Sequence, residues 1–379
     1  MAGDSKPAAR TATAAAAAGD DAAPTKKAKA GDDAAPTKKA KAAPAEKSVL
    51  PRSEMPRRPA VSGPSFKALS WNVAGLRGLL NNGNGGVLRA LVEAEQPDLL
   101  CLQEHKLQES HVAECEQQLR ALLGPKYGSF FWAVSADKKG YSGIVAICRG
   151  PHSSTVAPGT ATGKKQQQSL LPAAADASWG AAGAAVSCRF GLGSEGAHAG
   201  EGRSVTLEFP AFYVTCLYCP NSGEGLKRLD YRIGEWERDL RAHVNWLTSL
   251  GKPSIIGGDM NVAYRDADIY NVGAPHIKKS AGCTPQERAE FGRICEETAL
   301  TDSLIHIHPS AEGAFSYWSQ RAGNRPFNRG LRLDYWLVSN TLLAQSTAGS
   351  PKLHDAFLCA EATAGVSDHC PVGVTLALG

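Results

Sequence analysis

The chain has 379 residues, 43% of them hydrophobic, and a formal charge of +4. That is room for one large domain or two smaller ones around a substantial core, and it excludes a small disulfide-stapled scaffold. No apolar run approaches the length that spans a bilayer, so no membrane partner is expected.

The charge is uneven. From Met1 to Ser62 there are twelve Lys or Arg against seven Asp or Glu, about +5, so the remainder is close to neutral. Met1 to Pro64 is low in complexity, and Gly19–Ala30 is repeated identically as Gly31–Ala42. So short a duplication buries no face and reads as a disordered basic tail over residues 1–64. Lys26-Lys27-Ala28-Lys29, its copy, and Arg57-Arg58 read as nuclear-import or nucleic-acid-contacting patches, against the plain reading of a solvated linker. The Ala-rich start has no leucine-type apolar segment and is broken by Asp4, Asp20 and Asp21. This argues against a secretory signal and disfavours an organellar transit peptide.

A folded region is expected over residues 65–379. Phe66 to Asn72 alternates as a strand, Val87 to Glu95 reads as a short helix, and Asp98 to Gln103 as a buried strand ending at Glu104. Ser110 to Leu123 is expected to be helical, with strands over Ser129–Ser135 and Ser142–Cys148. From Gly150 to Glu201 periodicity fades, as in a partly disordered insertion. Val205–Phe209 and Phe212–Tyr218 read as a hairpin turning at Pro210-Ala211. Leu226 to Leu250 carries Leu229, Ile233, Trp236, Leu240, Val244 and Leu247 at the helical period. Thr284-Pro285-Gln286-Glu287 signals a helix start. Leu331–Val338 and Val372–Leu378 close the set as strands. Hairpins mixed with crossovers favour an α/β fold of two packed sheets with helices outside.

The ten cysteines are scattered through apolar runs, as reduced thiols in an intracellular protein. Cys216 and Cys219 lie three apart on a predicted strand and face opposite ways, which argues against a shared metal. His306 and His308 lack a third ligand nearby and read as surface loop residues.

Polar residues recur at predicted strand ends: Asn72, Glu104, Tyr218, Asn221, Asp259, Asn261, Asp334, Asp368 and His369. The apolar Ser254–Ile256 reads as a buried strand that two glycines end, before Asp259 and Asn261. In an extended segment those two side chains point the same way, as needed to activate and hold a water; an ordinary turn is the plain alternative. Hard oxygen ligands suit magnesium, and a histidine beside a carboxylate can stay protonated. These residue types are what hydrolysis of a phosphate ester requires.

Ser70-Trp-Asn-Val-Ala-Gly-Leu-Arg77, Pro97-Asp-Leu-Leu-Cys-Leu-Gln-Glu104, Gly140-Tyr-Ser-Gly143, Tyr218-Cys-Pro-Asn221, Gly257-Gly-Asp-Met-Asn261, Thr284-Pro-Gln-Glu-Arg288, Leu331-Arg-Leu-Asp-Tyr335 and Ser367-Asp-His-Cys-Pro371 occur in this order. Together they resemble the motifs of exonuclease III-type apurinic/apyrimidinic (AP) endonucleases, within the endonuclease/exonuclease/phosphatase superfamily. The resemblance implies a four-layer α/β sandwich of two mixed β-sheets flanked by helices. It implies hydrolysis of the phosphodiester 5′ to an abasic site and trimming of blocked 3′ ends, in base excision repair. The implied cofactor is Mg2+, with Mn2+ as a substitute. By the same resemblance Glu104 ligates the metal with help from Asn72 or Asp368, and Asp259, Asn261 and His369 border it. Asp259 takes the proton of the attacking water, Asn261 orients it, and Asp334 steadies His369. His369 and Tyr218 hold phosphoryl oxygens, and Asn221 contacts the phosphate. Tyr317, Leu331 and Leu333 would line the abasic-sugar pocket, while Arg321 and Arg77 would contact DNA. The expected protein is a nuclear monomer, with a mitochondrial fraction allowed, acting on double-stranded DNA and meeting repair proteins through its tail.

Departures from the pattern are Ala74 near the metal, Glu224 in place of a basic residue, Ile277 and Ser280 in place of asparagines, and Leu331 in place of an aromatic. A phosphatase of the superfamily and a DNA-binding protein without catalysis are the rival readings.

Overall fold

Residues 47–150, 167–169, 183, 185–344 and 349–379 are described by the computed structural model. Most of the basic tail, both repeats included, and much of the 150–201 stretch lie outside them.

The strand β1 (Ser65–Asn72) shows how the layers arise. Its side chains alternate, so Phe66 and Ala68 enter one apolar cluster while Leu69 and Trp71 enter another on the opposite face. The helices α1 (Leu76–Asn81) and α2 (Gly85–Glu95) lead to β2 (Leu99–Gln103), which pairs parallel with β1. After α3 (Val112–Leu123) come β3 (Ser129–Ala133) and β4 (Ile144–Cys148).

The strands β5 (Gln167–Ser169), β6 (Ser187–Phe190), β7 (Ser204–Glu208) and β8 (Tyr213–Tyr218) form the antiparallel end of a second sheet. The short turn α4 (Leu229–Tyr231) continues through a π-helical turn, Arg232–Trp236, into α5 (Glu237–Ser249). Next are β9 (Ser254–Asp259), α6 (Pro285–Glu297), β10 (Leu300–Asp302), α7 (Ser303–Ile307), β11 (Asp334–Ser339), β12 (Lys352–Leu358) and β13 (Val372–Ala377).

The sheets run β12-β13-β1-β2-β4-β3 and β10-β11-β9-β8-β7-β6-β5. Each mixes one parallel pair, β1/β2 or β8/β9, with antiparallel neighbours. Phe66, Cys101, Val205, Val214, Ile255, Trp336 and Val374 pack between the two sheets. Leu88, Leu91 and Leu119 cover the outside of the first sheet; Leu240, Val244 and Phe291 cover the second. The expected order of helix, sheet, sheet and helix is therefore found.

The hairpin closes where expected, with the Phe209 amide donating to Phe212 O across 2.8 Å. Thr284 and Glu287 cap α6 reciprocally behind Pro285. Cys216 joins the core between the sheets and Cys219 the outer cluster, so the two thiols face apart.

Four local readings change. Arg232, not Ile233, is the buried residue on the long helix, because the π-turn shifts the helical phase by one residue. The strand expected from Leu331 starts at Asp334; Leu331 makes bridges to Tyr317 and Ile269 instead. β5 and β6 fall inside the 150–201 stretch, both short, and β6 with a polar outer face. Residues 47–64, assigned to the tail by composition, lie along the folded body. Leu50 N donates to Phe327 O, and the Arg57 guanidinium lies 3.2 Å from the centroid of the Phe357 ring.

Candidate active site

The site is built by register. In the second sheet Tyr218 pairs with Asp259 and Asp259 with Asp334, so three strands present these residues in one row. In the first sheet Asn72 pairs with Gln103, which places Glu104 just beyond that strand end. Gly257 and Gly258 continue β9 rather than ending it. A Cβ at Gly257 would lie 2.3 Å from the Trp336 ring, and one at Gly258 would collide with Leu217 O.

Asp259 is 1% exposed and the most connected member. Its Oδ2 accepts from Asn72 Nδ2 at 2.8 Å and from Asn261 Nδ2 at 3.4 Å; its Oδ1 accepts from the Asn261 backbone N–H at 2.9 Å. Burial pushes this carboxyl up to about 7, with Asp334 adding to the rise and His369, Asn72 and the Asn261 amide opposing it. Asn261 is not extended, as the spacing implied, but left-handed at φ 49°. That turn brings its carboxamide back beside Asp259 while its Nδ2 also donates to Cys219 O at 2.9 Å. Asn221 Nδ2 donates to Asn261 Oδ1 at 2.8 Å, which closes the amide chain.

His369 is buried between two acids. Its Nδ1 lies 2.8 Å from Asp334 Oδ2 and its Nε2 3.8 Å from Asp259 Oδ2. Burial opposes its charge, but the carboxylates of Asp334 and Asp259 outweigh that and raise the imidazole to about 10. Arg332, two residues before Asp334, binds Asp268 and Asp302 instead. Ser367 Oγ donates to Asn72 O at 2.7 Å and accepts the His369 N–H at 3.1 Å, tying this loop to β1.

The Tyr218 hydroxyl donates to Glu104 Oε1, and Lys106 Nζ lies 3.1 Å from Glu104 Oε2. Burial, with Glu104 and Asp259 near, keeps the phenol protonated. Asp368 is half-buried beside His369, its carboxylate 3.5 Å from Ser367 Oγ.

Tyr317 stands with its ring centroid 5.0 Å from that of His369 and shares an apolar cluster with Leu331, Leu333, Ile269, Ile277 and Cys283. Ile277 is a wall of that cluster. Arg77 and Arg321 are exposed. Glu224 is also exposed.

Two positioning residues escape sequence reasoning. Arg232, fully buried, donates to Pro220 O, Asn261 O and Met260 O and pairs with Glu237. It thereby fixes both loops that carry Asn221 and Asn261. Arg203 is 1% exposed, lies 4.6 Å from the centre of the Tyr218 ring and donates to Tyr218 O. An arginine beside an apolar helical stripe was the available signal for the first; the residues just before β7 offered none for the second.

The donors suit a hard divalent cation. Asp334 Oδ1 is buried with no hydrogen-bond partner among the described residues, and the carboxylates of Asp259 and Asp334 offer oxygen atoms within 4.8 Å of each other and of the His369 ring, whose nitrogen ligates only when neutral. Glu104, partly exposed, adds a carboxylate from the first sheet.

The sequence pattern of the Endonuclease/Exonuclease/phosphatase family matches residues 69–369. A DNA-(apurinic or apyrimidinic site) endonuclease of Dictyostelium discoideum is 35% identical over 321 residues, 84% of this chain and 73% of its own. An exodeoxyribonuclease of Bacillus subtilis is 35% identical over 307 residues, 81% of this chain and 98% of its own. The crystal structure of an AP endonuclease from Leishmania major, 31% identical, superposes with a TM-score of 0.66 over 87% of this chain and 93% of its own. The chain belongs to the endonuclease/exonuclease/phosphatase family, in its exonuclease III-type AP endonuclease branch, and is a nuclease hydrolase.

Proposed function

We propose that this chain is a DNA-repair AP endonuclease that hydrolyses the phosphodiester 5′ to an abasic site in double-stranded DNA, leaving a 3′-hydroxyl, with magnesium as cofactor and manganese as a substitute. The observation that carries the reading is the row Tyr218, Asp259 and Asp334, joined to Asn72 of the opposite sheet and to His369.

Glu104, with Asn72 or Asp368, would hold the cation, bordered by Asp259, Asn261 and His369. When bound, it neutralises phosphate charge and stabilises the departing oxygen. Asp259, pushed up to about 7 and so suited to a base near neutral pH, takes the proton of the attacking water. Asn261, whose Nδ2 lies 3.4 Å from Asp259 Oδ2, orients that water. Protonated His369, held by Asp334, and the Tyr218 hydroxyl donate to phosphoryl oxygens as charge builds up there, and Asn221 contacts the phosphate.

The apolar wall of Tyr317, Leu331 and Leu333 suits a sugar that lacks its base, and the activity includes trimming of blocked 3′ ends. Arg77 and Arg321, exposed, are free to meet the duplex. A monomer acting in the nucleus, with some in mitochondria and with repair partners on its basic tail, completes the proposal. No described helix is long and apolar enough to cross a membrane.

The test is a duplex carrying one tetrahydrofuran abasic analogue, incubated with magnesium and with EDTA. A nick 5′ to the analogue in magnesium alone is expected. Binding without a nick, or cleavage of inositol phosphates instead, overturns the reading.

A further inference from the structure

The turn after β2 is strained on both sides of one buried side chain. Glu104 and Lys106 both have left-handed backbones, φ 54° and 53°, which residues with a Cβ rarely adopt. Such strain persists only where the surroundings over-determine it. His105, between them, is 1% exposed. Its ring spans two backbone groups: the Leu107 N–H donates to Nδ1 at 3.0 Å, and Nε2 lies 3.1 Å from Ala133 O. The first bond makes Nδ1 an acceptor, so Nε2 carries the proton and donates to Ala133, the last residue of β3.

The backbone closes the same clasp. His105 N donates to Gly143 O and Lys106 N to Ser142 O. A Cβ at Gly143 would lie 2.2 Å from the imidazole, so the ring fills space that a glycine leaves. With the turn fastened to β3 and to the 142–143 loop, the Glu104 carboxylate meets the Tyr218 hydroxyl.

We propose that His105 is a positioning residue for Glu104, its neutral imidazole locking the left-handed turn that delivers this carboxylate to the divalent-cation site. The inference rests on the reading of Glu104 as a cation ligand. Without the clasp the turn relaxes towards extended backbone, and cation affinity falls.

Direct Mn2+ binding to the full-length protein, read from the electron paramagnetic resonance signal of free Mn2+ without DNA, tests this. His105→Leu is expected to weaken binding roughly tenfold, the scale of lost support behind a metal ligand. His105→Gln, which again offers one acceptor and one donor, is expected to restore it to within about twofold. A histidine that only fills space would be replaced by leucine without effect, so wild-type affinity in His105→Leu overturns the proposal. If that variant does not fold, Gly143→Ala, whose methyl displaces the ring, takes its place with the same expected and overturning results. Wild-type affinity in Glu104→Gln would instead remove the ligand reading itself, whatever the His105 variants do.

Discussion

Asn72 and Asp259 end strands of two different sheets, and the Asn72 carboxamide donates to Asp259 Oδ2 across 2.8 Å. This bond crosses between the sheets where their strand ends meet. It gives the buried carboxylate a fixed donor that does not depend on solvent. Asn72→Ala is therefore expected to lower kcat on abasic duplex about 10–100-fold, with KM changed little, because the base loses its alignment while the DNA surface is untouched. Steady-state kinetics decide it; an unchanged kcat would make the bond incidental to turnover.

Asp259→Asn keeps the shape of the network and removes the base. Cleavage should fall by at least about a hundredfold, the lower end of what a general base contributes, while duplex binding stays near wild type. Single-turnover cleavage and a filter-binding titration report the two quantities separately. Near-wild-type turnover would take the proposed role from this residue.

Asp334 should set the titration of His369. In the metal-free protein burial opposes the imidazolium, and the two carboxylates raise it to about 10. A negative neighbour favours the cation, so Asp334→Asn must lower that value. Nuclear magnetic resonance of the ring protons against pH checks the direction, and a curve that does not move would contradict the pairing.

His243 gives a pH dependence of stability. It is buried, accepts the Gly193 N–H at 2.8 Å on Nδ1, and faces Thr206 and Thr215 with Nε2. Burial, helped by Arg189, lowers it from 6.5 to about 3. The folded form stays neutral where the unfolded chain takes up a proton. Stability from this group is thus complete above about pH 6.5 and is lost as pH falls towards 3, by roughly 2 kcal/mol at pH 5. His243→Gln cannot titrate, so its urea midpoint should fall less steeply between pH 7 and pH 5. Parallel slopes would rule out His243 as the source.

Arg232→Met leaves Glu237 buried without its cation and three carbonyls without a donor. Removing one partner of a buried pair costs about 3–5 kcal/mol, and urea unfolding should show a loss of that order. Adding Glu237→Gln should recover part of it, since the stranded charge is then gone.

The sequence alone determined what is encoded locally. Alternation in Phe66–Asn72 marked a strand with two faces, the apolar run Leu99–Leu102 marked a buried one, and the Thr284–Glu287 box marked a helix start. The polar residues at strand ends were visible because an apolar run stops there. Pattern over a few residues carries that information, since pleat and helical turn repeat every two or 3.6 residues.

What pairs with what was not encoded locally. Asp334 has Arg332 two residues away, yet it binds His369, 35 positions further on, because the β11 pairing with β9 turns it towards that loop. Asn261 reaches Asp259 through a left-handed turn that spacing could not foresee, and Arg232 replaces Ile233 inside because a π-turn shifts the helix. β12 escaped notice because it buries Asp355 beside a break in register. Strand register and the meeting of two sheets depend on contacts between residues far apart in the chain, as Asn72 and Asp259 are. The tertiary structure therefore decided which carboxylate faces which imidazole, while the sequence decided that both would stand at strand ends.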